Sequence, residues 1–79
     1  MIKAFTISSY ELEDGTVDVV LSKSLSTYAD QDDFNGACIE MSLADDGGNH
    51  QLVKADSYGQ LFIAMQHPEL EEELFELLN

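Results

Sequence analysis

The stretch His67-Pro68-Glu69-Leu70-Glu71-Glu72-Glu73-Leu74-Phe75-Glu76-Leu77-Leu78-Asn79 leaves the rest of the chain little choice. Pro68 suits the first position of a helix, where its missing N–H costs nothing, and the residues after it are strong helix formers. At about 100° per residue, Leu70, Leu74, Leu77 and Leu78 gather on one side, with Phe75 at its edge. Glu69, Glu72, Glu73 and Glu76 gather on the other. The leucine side demands a core that the remaining residues must build. The glutamate side is offered to solvent or to a partner. Acidic residues in a first turn suit the helix dipole, which accounts for Glu69, Glu71 and Glu72. Glu73 and Glu76 lack that excuse, because like charges three and four apart repel and no Lys or Arg offsets them.

The sequence predicts a single α+β domain over residues 1–79. An antiparallel sheet of three to four strands, built from hairpins, is expected to carry the C-terminal helical structure on one face. Ile2 to Tyr10 is rich in β-branched and aromatic residues and reads as a strand. Asp14-Gly15 between apolar segments signals a hairpin, and Val17, Val19 and Leu21 alternate with more polar neighbours as its second strand. Lys23 to Asn35 is polar and turn-rich, with Thr27 placed to cap a short helical turn.

Residues 34–45 admit two readings. Phe34, Ala37, Cys38 and Met41 fit a helix, whereas Ile39, Met41 and Leu43 against Glu40 and Ser42 fit a strand. Gly36 weakens a helix by about 1 kcal/mol. The favoured reading is a second hairpin, with Asp45 to His50 as its loop and Gln51 to Asp56 as its return strand. Residues 58–66 are also open. Ser57 and Gln60 have capping-box spacing and would start a helix carrying Leu61, Phe62 and Met65 inward. Leu61-Phe62-Ile63-Ala64-Met65 would serve equally as a buried strand.

Sixteen Asp and Glu stand against three Lys and no Arg, for a formal charge of −13. The acids form clusters: Glu11, Glu13, Asp14 and Asp18; Asp30, Asp32 and Asp33; Asp45 and Asp46; and the C-terminal row. Direct nucleic-acid binding needs basic residues to replace counterions, and an anionic membrane repels such a chain. No apolar run suits a membrane span, no signal peptide opens the chain, and the lone Cys38 makes no internal disulfide. A soluble intracellular protein and a monomer are expected.

Motifs for catalysis and cofactors are missing. Asp30-Gln31-Asp32-Asp33-Phe34-Asn35-Gly36 opens somewhat like a calcium loop, but Phe34 falls on the fifth position and Met41 where the bidentate Glu belongs. Cys38, His50 and His67 are too sparse for zinc. No Gly-x-Ser-x-Gly elbow, P-loop or dinucleotide fingerprint occurs. No enzyme, metal or cofactor is expected. His67 reads as an exposed helix entrance, His50 as a loop residue and Cys38 as a small core hydrophobe.

In size, acidity, lack of arginine and the Glu69–Glu76 row, the chain resembles the small acidic proteins of phages and mobile elements that imitate DNA. Among these it looks most like the anti-CRISPR proteins. The resemblance implies stoichiometric inhibition of a nucleic-acid-binding effector, a Cas complex above all, in the cytoplasm of a bacterial host. The partner-binding residues would be Glu69, Glu72, Glu73 and Glu76, with Asp30, Asp32, Asp33, Asp45 and Asp46. The rival reading is an acidic adaptor, immunity protein or antitoxin that masks a basic protein without imitating DNA. A halophile's solvation-driven acidity is a further rival.

Overall fold

In the computed structural model, which describes residues 1–44 and 49–78, one long strand is covered on both faces. This strand, β1 (Ile2–Glu11), pairs antiparallel with β2 (Val17–Leu21), β3 (Ser26–Tyr28) and β4 (His50–Lys54). Ala4 pairs with both Ser26 and Lys54, and Ile7 with both Leu21 and Gln51. A strand has two edges, so β4 holds one and β2 and β3 share the other. The register confirms that β2 and β3 form one interrupted strand. From Ile7 to Ala4 is three steps along β1, but from Leu21 to Ser26 is five. The surplus bulges at Ser22–Leu25, where the Ser22 N–H donates to the Thr6 carbonyl (2.8 Å) and the Thr6 N–H to the Ser22 hydroxyl (3.1 Å).

Side chains alternate across a strand, and here both sets are buried. Phe5 and Ile7 join Leu21, Val53, Ile63, Leu70 and Leu74 in one core. Ala4 joins Phe34 and Leu52 in a second, with Ile2, Tyr28, Ala37, Cys38 and Met41 around it. The first core lies under α2 (Ser57–Gln66), a 3-10 turn (Pro68–Leu70) and α3 (Glu71–Leu78). The second lies under α1 (Gln31–Ala44). The sheet is thus the middle of three layers, and the fold is α+β.

The first hairpin forms as expected. The Leu12 N–H donates to the Thr16 carbonyl (2.8 Å), the Gly15 N–H to the Leu12 carbonyl (2.9 Å), and Gly15 takes a φ of +84°. That left-handed backbone is what Gly supplies at no steric cost. The Asp14 carboxylate accepts from the Thr16 hydroxyl (2.6 Å) and N–H (3.0 Å), which holds its pKa below 3.8.

The expected second hairpin does not exist. Residues 31–44 are helical, and β4 pairs with β1 instead. The Asp30 carboxylate caps α1 by accepting the Asp33 N–H (2.9 Å), and Asp32 and Asp33 occupy the first turn. Phe34, Ala37, Cys38 and Met41, at helical spacing, then meet Ala4 and Leu52, while Ile39 and Leu43 stay exposed. Capping and burial outweigh Gly36. Thr27 caps nothing and lies in β3. His50 belongs to β4 rather than to a loop. Most of that loop, with Asp45 and Asp46, lies outside the described residues.

The second helix starts one residue earlier than Ser57 capping would place it. Asp56 is the cap, accepting the Gly59 N–H at 2.8 Å. Its buried residues are Gly59 and Ile63, with Phe62 half-buried, and the expected core residues Leu61 and Met65 are exposed. Gly59 sets this orientation, because a Cβ there would sit 1.7 Å from the Lys54 carbonyl oxygen. In α3, Leu74 is buried and Leu77 half-buried, with Leu70 buried in the preceding turn. Leu78 and Phe75 lie outside.

Two glycine substitutions should therefore have opposite signs. Gly59→Ala should cost at least about 1–3 kcal/mol in denaturant unfolding, because backbone rather than a flexible side chain is in the way. Gly36→Ala meets nothing within 4 Å and should stabilise by about 0.5–1 kcal/mol. Equal effects would contradict the helix placements. For Asp14, a lowered folded pKa means its stabilising contribution is present above 3.8 and lost as pH falls through the folded value. A carboxyl NMR titration with its midpoint below 3.8 is expected, and a higher midpoint would remove the Thr16 brace.

Candidate functional site

The acidic residues are not one surface. Glu69 sits on the 3-10 turn and Glu72, Glu73 and Glu76 on α3, all exposed, on the layer that also holds α2. Leu70 and Leu74 anchor this segment from beneath, in the core with Phe5 and Ile63. Glu73 and Glu76 turn toward β2. With Leu77 they line a cleft whose far side is Val20, Leu21, Ser22 and Lys23. Asp30, Asp32 and Asp33 begin α1, on the opposite face of the sheet. The Asp30 carboxylate is engaged as the cap, leaving Asp32 and Asp33 as the more available pair. The structure thus places the four glutamates on one C-terminal segment, with Glu73 and Glu76 on one cleft, and separates them from the aspartates by the thickness of the sheet. Asp45 and Asp46 fall in the undescribed segment between α1 and β4.

Ion pairs to the carboxylates are scarce among the described residues. The only ion-pair contact among the described residues joins His67 Nδ1 to Glu69 Oε1 at 3.6 Å. Lys54 is turned elsewhere, donating to Gln31 Oε1 and lying 5.4 Å from the centre of the Phe34 ring. His67 is half-buried rather than an exposed entrance, and its N–H closes α2 on the Ile63 carbonyl at 2.7 Å.

Ser8 and His50 face one another across β1 and β4 and share a hydrogen bond of 2.7 Å, with Tyr10 edge-on to the imidazole at 6.4 Å. Sequence reasoning missed this pair because the residues are far apart in the chain and only the β1–β4 register joins them. Both stand on the open sheet surface, where cross-strand polar pairs of this kind stabilise sheets. The stretch like a calcium loop is the first turns of α1, and no group of three His, Cys, Asp or Glu among the described residues could hold a metal ion. Cys38 packs against the Ala4–Phe34–Leu52 core. Among the described residues, no helix is long and apolar enough to cross a membrane.

Since no lysine forms an ion pair with these acids among the described residues, self-repulsion should weaken the fold when screening is poor. Raising ionic strength from about 0.01 M to 0.15 M shortens the Debye length from roughly 30 to 8 Å. The thermal midpoint should rise by several degrees, and a fall would indicate ion pairs that the structure lacks. Comparison with family models, curated proteins and solved structures gives no match to this chain.

Proposed function

We propose that the protein is a stoichiometric inhibitor of a nucleic-acid-binding effector, occupying the effector's basic site with carboxylates in place of phosphates. A CRISPR–Cas complex is the effector class to which the resemblance points. The observation that carries this reading is the exposed row Glu69, Glu72, Glu73 and Glu76, anchored by leucines beneath, with no lysine at ion-pair distance among the described residues and Lys23 alone across the cleft from Glu73 and Glu76. Carboxylates at three- and four-residue steps have Cβ atoms about 5–6 Å apart, and phosphates on one DNA strand advance about 3.4 Å. A channel of Lys and Arg built for the second spacing can meet the first. Asp32 and Asp33 give the opposite face a second, smaller acidic surface.

One observation favours the adaptor reading instead. Phe75 is 68 % exposed on the same helix, next to Glu76. Exposed aromatics amid charge serve as anchors in interfaces that bind by packing.

The test is competition with the effector's nucleic acid. Single Glu→Gln changes should matter little, since exposed ion pairs contribute about 0–1 kcal/mol each. The quadruple variant at Glu69, Glu72, Glu73 and Glu76, shown folded by circular dichroism, should lose about tenfold or more in inhibition, because the row acts through its summed field. Undiminished inhibition would remove this row as the mimic. Loss on Phe75→Ala alone would establish the adaptor.

A further inference from the structure

The cleft between α3 and the end of β2 has linings of two kinds. Glu73 and Glu76 stand on the α3 side, with Val20, Leu21 and Lys23 across from them. Leu77 lines it too, and Leu21 and Leu77 both pack in the first core, so the floor of the cleft is the apolar margin of that core. Its volume is about 510 Å³, within the range of clefts that take small ligands, so a long side chain fits. Neither carboxylate makes an ion pair among the described residues, although Lys23 lines the same space. Helical spacing alone supplies the two glutamates. The apolar floor beside them exists only because the fold sets α3 against β2.

We infer that this cleft is a socket for an arginine side chain of the basic partner. The inference rests on the function proposed above and names which cation the partner supplies. Charge selects a cation, and the apolar floor selects which one. An arginine lays its methylenes on apolar surface while its planar, weakly hydrated guanidinium reaches the charge. Its fork of N–H donors can serve two carboxylates at once, and residues three apart on a helix have Cβ atoms about 5–6 Å apart. A lysine ammonium is a strongly hydrated point charge and loses more on leaving water for an apolar floor. Lys23, already at the cleft, accordingly forms no ion pair there. Other occupants lack the chemistry. A second copy of this chain has no arginine to offer. A divalent cation takes about six oxygen ligands, and no group of three His, Cys, Asp or Glu among the described residues could hold a metal ion.

The probes are N-acetyl-arginine amide and N-acetyl-lysine amide, titrated into the full chain at low salt and followed by backbone amide NMR. The arginine amide should give saturable shifts centred on Leu21, Ser22, Lys23 and Leu77, and bind about fivefold tighter than the lysine amide. Glu73→Gln with Glu76→Gln, shown folded by circular dichroism, should abolish those shifts. Glu69→Gln with Glu72→Gln removes the same charge outside the cleft and should change the affinity by about twofold at most. Equal binding of the two amides, or equal loss in the two double variants, would overturn the socket and leave only general attraction to an acidic surface. No effector enters these titrations, so they separate the socket from charge mimicry. Saturable arginine binding beside undiminished inhibition by the quadruple glutamine variant would support the socket and sink mimicry. Absent arginine binding beside inhibition that the quadruple variant loses would sink the socket alone.

Discussion

A strand buried on both faces is the constraint from which the other features follow. Phe5 and Ile7 point one way and Ala4 the other, so a chain of 79 residues must cover both sides of one sheet. Small domains have little apolar surface to spend, and two cores divide it. Each helix therefore seals its layer with a narrow set of side chains: Phe34, Ala37, Cys38 and Met41 from α1, Gly59 and Ile63 from α2, and Leu74 and Leu77 from α3. Most of each helix is left outside. On α3 that outside is mostly carboxylate, with Phe75 and Leu78 among it, on α2 it is apolar and neutral, and on α1 it is mixed. The three surfaces have different chemistry because the sheet, rather than any shared helical pattern, holds them in place.

How much of this was legible depended on whether the deciding contact was local. The first hairpin was readable because Asp14-Gly15 forces its own geometry, and Gly15 adopts the positive φ that such a turn needs. The leucine side of the C-terminal helix was readable because Leu70, Leu74 and Leu77 repeat at helical spacing without ambiguity. Residues 31–44 were not, since Ile39, Met41 and Leu43 satisfy a strand as well as Phe34, Ala37 and Cys38 satisfy a helix. The tie was broken by burial against Ala4 and Leu52, which come from β1 and β4. The orientation of α2 was hidden for a related reason. Its apolar run has no preferred face, and a backbone contact between Gly59 and Lys54 selects one.

The candidate site divides along the same line. The glutamate row follows from helical spacing, and in the structure its members are exposed, Glu69 on the 3-10 turn and Glu72, Glu73 and Glu76 on α3. Its separation from Asp30, Asp32 and Asp33 could not be read, because it depends on which face of the sheet each helix covers. Nor could the role of Asp30, whose carboxylate caps α1. The Ser8–His50 pair needed the β1–β4 register. Charge, in contrast, is a property of composition, and the single ion-pair contact among the described residues extends what the count of residues implied.

The central claim is that binding is carried by unneutralised carboxylates acting where phosphates would act. It is tested most directly by the ionic-strength dependence of the association rate with a purified, nucleic-acid-free effector. Electrostatic steering between an acidic ligand and a basic channel predicts a rate that falls steeply as salt rises through the physiological range, with a smaller change in dissociation. An association rate indifferent to salt, in a complex that nevertheless forms, would contradict charge mimicry and place the binding energy in apolar contacts.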